Sequence, residues 1–189
     1  MALKATIFKA ELQISDMGRN YYHDHALTIA RHPSENDELM MVRLLAFALQ
    51  AHEDLAFAEG MSTEDEPALW RKDLTGAIEL WIDVGQPDGK RIRKACGRAR
   101  QVFVYSFSGR SAEVWWNQIQ IYLEGLKNLR VVILVQGASA ELSKLAQRRM
   151  KLQCTIQDGQ VWVTDNNVTV HVDMTGGILR SCETPETRS

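Results

Sequence analysis

WRKDLTGAIELWIDVGQPDGKRIRKA, residues 70–95, decides how the rest of the chain is read. Within it Ile78–Val84 alternates. Ile78, Leu80, Ile82 and Val84 fall on one face of a strand, and Glu79, Trp81 and Asp83 fall on the other. Gly85-Gln86-Pro87-Asp88-Gly89 ends the strand. Ile92, Ala95, Cys96 and Ala99 then form the packed stripe of a helix over about residues 88–99. The first strand face is core. The second carries two acids, and unpaired charges are too costly to bury. It therefore lies at a sheet edge, is paired with cations, or lines a polar pocket. Asp73 ahead of the strand, Asp83 inside it and a lysine-bearing helix after it are the minimum equipment for holding a hard divalent cation against a phosphate. Lys90 and Lys94, at i and i+4, project from one helix face, and spacing does not say whether that face looks toward Asp83. Gln86 is a neutral oxygen donor just past the strand.

Outward from this stretch, residues 4–16 and 20–31 read as strands joined at the turn signal Met17-Gly18-Arg19-Asn20. Ser34 followed by Asp37 resembles a capping box, and the helix over 35–52 carries Leu39, Val42, Leu45, Ala46 and Leu49 at helical spacing. Residues 54–69, with Gly60, Ser62, Thr63, Pro67 and several acids, read as a loop. Beyond the central helix come a strand over 101–107, a helix over 112–125, an apolar strand (RVVILV) over 130–135 and a short helix over 138–147. Adjacent Trp115 and Trp116 point about 100° apart on their helix, so at least one is expected to be partly exposed. Residues 152–156 and 161–164 flank Asp158-Gly159 as a hairpin, and Asp165-Asn166-Asn167 precedes a last strand over 168–172. The pattern predicts one domain over residues 1–180 and a flexible tail over 181–189. Its fold class is α/β to α+β, with a central mixed sheet flanked by helices and antiparallel hairpins added at both ends of the chain.

The totals narrow the function classes. With 189 residues, 45% hydrophobic and 24% charged, the chain has the composition of an ordinary globular protein. No apolar run approaches a membrane span, and the alternating start lacks the apolar region of a secretory signal, so the expected address is the cytoplasm. Cys96, Cys154 and Cys182 are scattered and odd in number, which argues against a disulfide framework or a zinc site. His23 and His25 share a strand face but have no third ligand at an informative distance. The net charge of −2 hides a local bias. Between Pro87 and Arg110 seven cations (Lys90, Arg91, Arg93, Lys94, Arg98, Arg100 and Arg110) face one acid, Asp88. Lys144, Arg148, Arg149 and Lys151 form a second, shorter patch. Such clusters meet polyanions, or simply solvate a helix.

Several blocks taken together resemble the YaeQ family of small bacterial proteins: FAEGMSTEDEPALW (57–70), IELWIDVGQP (78–87) and RIRKACGRARQVFVYSF (91–107). The opening ATIFKAELQISDMGRNYY and the closing DMTGGILRS agree, so the likeness runs over essentially the whole chain. The resemblance implies a variant of the PD-(D/E)XK nuclease fold, in which two acids hold magnesium and a lysine two residues past the second positions the attacking water. Carried over, Asp73 and Asp83 take the acid positions, with Glu79 and Glu53 as further metal ligands. The lysine position is Gly85, and Lys72 rather than proline precedes Asp73. A relocated lysine would then be Lys94 or Lys90, with Gln86 as another substitute. Lys90, Arg91, Arg93, Lys94 and Arg98 would track a DNA or RNA backbone. The implied activity is Mg²⁺-dependent phosphodiester hydrolysis. The rival expectation is a scaffold without the chemistry that binds nucleic acid or a protein partner.

Overall fold

In a computed structural model the described residues are 4–59 and 65–181. They divide into two compact units, described residues 4–52 with 134–177, and described residues 53–133 with 178–181. Among the described residues there are two mixed sheets and four α-helices.

In the first unit β1 (Thr6–Asp16) and β2 (Tyr21–Arg31) form the expected hairpin. Phe8, Ala10, Leu12 and Ile14 all turn inward from β1. β1 also pairs in parallel with β8 (Arg149–Gln157), which continues antiparallel into β9 (Gln160–Thr164) and β10 (Thr169–Asp173). The order is β10-β9-β8-β1-β2. The two terminal hairpins are therefore not additions to the central sheet, as expected from the sequence, but one sheet of their own. Helix α1 (Asp37–Leu49) is buried from Met40 to Ala48, as a helix apolar nearly all round must be. Its N-cap is Asn36, whose side chain accepts from the Leu39 backbone N–H at 2.9 Å, and not Ser34, whose hydroxyl lies 2.7 Å from His32 Nδ1. Arg43 is buried within this helix and donates to the Ala30 carbonyl and, at 3.2 Å, to Glu35. Burial raises the Glu35 carboxyl above its ordinary value although the Arg43 charge opposes this. Helix α4 (Ala138–Ser143) ends earlier than its apolar pattern suggests.

The second unit is a six-stranded sheet in the order β11-β7-β6-β5-β4-β3. β3 (Leu55–Phe57) and the start of β4 (Leu69–Lys72) arise in the segment expected to be a loop. Gly60, Ser62 and Thr63 of that loop lie outside the described residues. β5 (Ile78–Val84), β6 (Ala99–Ser106) and β7 (Leu129–Ile133) run parallel, and β4 is antiparallel to β5. Helix α2 (Gly89–Arg98) links β5 to β6, and α3 (Arg110–Ile119) with the 3-10 turn Gln120–Leu123 links β6 to β7. These helices cover one sheet face with a core of Trp81, Ile92, Ala95, Val102, Val104 and Trp116 among others. Trp115 is buried as well as Trp116, contrary to expectation, because the Trp115 ring N–H reaches back to donate to the Pro87 carbonyl at 2.8 Å. β11 (Ile178–Ser181) pairs with β7, and the expected tail lies outside the described residues apart from Ser181.

Candidate functional site

β5 is an interior strand, paired on both edges, and its middle is buried on both faces. Trp81 is 1% and Asp83 3% exposed, as deeply buried as Leu80 and Ile82 on the other face. Of the three placements open to an acid-bearing face, pairing with a cation is the one realised. Arg91 presents its fork to Asp83, with Nε donating to Oδ2 at 3.0 Å and Nη2 to Oδ1 at 2.8 Å. Arg91 Nη2 also donates to the Glu66 carbonyl at 2.8 Å. The cause is local. Asp88 caps α2 by accepting from the Arg91 backbone N–H, and Arg91 stands four residues before buried Ala95 and beside buried Ile92. The first turn of the helix thus carries Arg91 back toward the end of the strand. Its guanidinium also lies near the Trp81 ring, 6.0 Å from the centroid, with Arg98 at 5.3 Å.

Asp73 does not converge on Asp83. It sits in the β4–β5 turn, where Oδ1 accepts from the Thr75 backbone N–H at 2.8 Å, the Thr75 hydroxyl at 2.6 Å and the Ala77 N–H at 3.0 Å. The Thr75 hydroxyl bond, before the backbone donors, holds this carboxyl below its ordinary value. Asp73 N–H bonds the Ala77 carbonyl, so six residues of β5 and its lead-in separate the two acids. At about 3.3 Å per residue that is on the order of 20 Å. Glu53 precedes β3 and Asp73 follows β4, so antiparallel pairing puts both at the end of the sheet where β5 begins. Glu79 is shared by Arg71, at 3.2 Å, and Arg100, at 3.6 Å.

The expected cationic partners go elsewhere. Lys94 Nζ bonds Asp65 Oδ1 at 2.5 Å and Arg98 donates to the Asp65 carbonyl at 3.0 Å. Hydrogen bonding and charge from Lys94 hold the Asp65 carboxyl below its ordinary value. Arg93 Nε donates to the Tyr122 carbonyl at 2.6 Å, and Lys90 is exposed. The Gln86 amide donates to the Ser111 hydroxyl at 3.1 Å. Gly85, the position at which the resemblance led a lysine to be expected, has φ +107°, a conformation that a side chain with a Cβ rarely adopts. A magnesium ion needs several oxygen ligands with free lone pairs converging on one point. Asp83 has given its oxygens to Arg91, and Asp73 is at the other end of the strand. The donor set does not fit that ion, and among the described residues no group of three His, Cys, Asp or Glu side chains is placed to hold a metal.

The model of the YaeQ protein family matches residues 1–174. This chain belongs to the YaeQ family. It is 46% identical over 175 residues to YaeQ of Salmonella typhi and 44% identical to YaeQ of Escherichia coli K12, covering 93% of this chain and 97% of each relative. YaeQ from Xanthomonas axonopodis pv. citri, solved by crystallography, superposes with a TM-score of 0.88 at 47% identity, over 94% of this chain and 98% of that one. YaeQ from Pseudomonas syringae superposes with a TM-score of 0.85 at 36% identity, over 94% and 95%. The family's two-sheet α+β architecture is thus shared. Among the described residues no helix is long and apolar enough to cross a membrane.

Sequence reasoning assigned Arg91 to a nucleic-acid surface and missed its grip on Asp83. The signal was its place flanking the Ile92–Ala95 stripe. It also passed over Arg71, Lys127 and Arg130, which are dispersed along the chain and gathered only by the sheet.

Proposed function

We propose that this protein binds the phosphate backbone of nucleic acid without hydrolysing it at Asp83, on a scaffold of the PD-(D/E)XK type that its family resemblance implies. The observation that carries the reading is the two-point Arg91–Asp83 contact. A guanidinium fork matches a carboxylate on both oxygens, and such pairs are among the stronger polar contacts in proteins. Freeing Asp83 for an ion would break both Arg91 hydrogen bonds to a carboxylate that is only 3% exposed. Gly85 supports the same reading, since its backbone conformation bars the lysine that would position an attacking water. What remains of a nuclease-type scaffold is its cation-bearing surface.

The test incubates the protein with single- and double-stranded DNA and RNA, with Mg²⁺ or Mn²⁺, beside Asp83→Ala. Salt-sensitive binding with no cleavage by either protein is the expected result. Cleavage by the wild type that Asp83→Ala abolishes overturns the reading in favour of a metal-dependent phosphodiesterase. Neither binding nor cleavage overturns it in favour of a protein partner.

A further inference from the structure

An open depression of about 520 Å³ lies where the parallel strands begin, lined by Arg71, Glu79, Arg100, Lys127, Asn128 and Arg130 with Gln101. We infer that it is the site where a nucleic-acid strand lays its phosphates, which rests on the binding role proposed above and assigns its surface. Four cations meet one carboxylate here, and Glu79 already serves two of them, Arg71 and Arg100. Among the described residues Arg130 Nη1 donates to the Lys127 and Leu129 carbonyls, and Lys127 has no carboxylate partner. Among the described lining residues the balance is three positive charges, and of the acids at this end of the sheet Asp73 lies close enough to feel the Arg100 charge. Arg100 is 72% exposed, open to a ligand.

The sheet brings these groups together. Arg71 is on β4, Glu79 on β5, Arg100 on β6 and Arg130 on β7, with Lys127 and Asn128 in the lead-in to β7. Four adjacent strands span about 14 Å at roughly 4.8 Å per step. One strand of a duplex carries a phosphate for every 3.4 Å or so of helix axis, so a row of this length meets a few phosphates of one strand. Asn128 fixes the lead-in, since its amide donates to the Cys96 and Ala99 carbonyls at 2.9 and 3.0 Å. The two cations beside it are thereby tied to the end of α2 and the start of β6.

The lining also speaks against other occupants. None of the described side chains lining the depression is apolar, as a protein hot spot would need. Three of the four cations are arginines, whose planar forks suit phosphate oxygens. An open trough of this kind does not enclose a small anion. On α2, by contrast, three of the five cations have a carboxylate partner. Arg91 is on Asp83, and Lys94 and Arg98 are on Asp65.

The experiment measures fluorescence anisotropy of labelled single-stranded RNA, single-stranded DNA and duplex DNA at 50–200 mM salt. It compares the wild type, Arg100→Gln/Lys127→Gln, and Lys90→Gln/Lys94→Gln on α2. Both lysine and arginine targets are exposed, and circular dichroism confirms that each variant is folded. With about three net phosphate contacts, wild-type affinity falls roughly 20–40-fold over that fourfold rise in salt. The trough variant loses at least about tenfold in affinity and flattens the salt slope by more than one unit, whereas the α2 variant stays within about twofold. The three probes distinguish which strand type supplies the phosphates. Wild-type binding that the trough variant retains, or that only the α2 variant loses, overturns this assignment while the binding role stands. No wild-type binding to any probe overturns both.

Discussion

The two ends of the parallel strands in the six-stranded sheet carry opposite electrostatic designs. Where the strands finish, Asp83 is buried and met by Arg91, while along α2 the exposed Asp65 carboxylate is shared by Lys94 and Arg98. Where they begin, Arg71, Arg100, Lys127 and Arg130 share Glu79. One end buries a matched pair, and the other gathers four cations around one lining carboxylate. A basic run in sequence therefore does not locate a basic surface. What decides is whether each cation has found a carboxylate, and on α2 Arg91 has one to itself while Lys94 and Arg98 share another.

The sharpest way to break this comparison is to unmake the matched end. Arg91→Ala leaves Asp83 buried without a cation and should cost about 3 kcal/mol of unfolding free energy in urea titrations. Asp83→Ala should cost less, about 1–2 kcal/mol, because the quarter-exposed Arg91 can still reach the Glu66 carbonyl and water. The reverse ranking would mean that the pair is not the anchor described. Asn128→Ala removes two donors that hold the other end in place. It should lose about 1–2 kcal/mol and, with the trough loosened, weaken nucleic-acid binding as well. Arg100→Gln should change stability by no more than about 0.5 kcal/mol, since its pair with Glu79 is exposed. Any large loss of binding in that variant is then a loss of contact and not of fold.

The smallest effect concerns Asp73 and its counterpart Asp173. Asp173 is drawn from the ordinary 3.8 to about 2, chiefly by the Thr175 hydroxyl and then by the Gly176 N–H and Gln160 amide. Both carboxyls are depressed in the folded state, so what they add to stability is complete above about pH 4. It is lost as pH falls through the folded value. The stability gap between wild type and Asp173→Asn should accordingly be flat from pH 7 to about 4 and narrow toward pH 2. Carbon-detected NMR titration of Asp73 should likewise place its midpoint below the ordinary aspartate value. A midpoint at or above it would remove the turn role assigned to Asp73.

Much of the second unit was legible. The alternation of Ile78–Val84, the stripe Ile92–Ala95 and the run RVVILV each specify an element by local pattern, and each is present. The first unit's sheet was not, because the pairing of Leu12 with Leu152 joins segments that no local periodicity connects. β3 and β4 were hidden for a different reason: short strands in an acid-rich stretch have too few alternating positions to register. At the candidate site, the acids and cations were found but their partners were not. One signal for Asp73 was present in the chain itself. Asp73-Leu74-Thr75-Gly76 recurs as Asp173-Met174-Thr175-Gly176, and both aspartates accept from the threonine two residues on. A repeated Asp-x-Thr-Gly is the signature of a side-chain-capped turn, which marks Asp73 as a builder of the β4–β5 corner.

The most direct test of the central claim, that Arg91 occupies the oxygens of Asp83, is a calorimetric titration with Mn²⁺ of the wild type and Asp83→Ala. The account predicts matching curves with no saturable site that depends on Asp83. A stoichiometric site present in the wild type and lost in Asp83→Ala would contradict it.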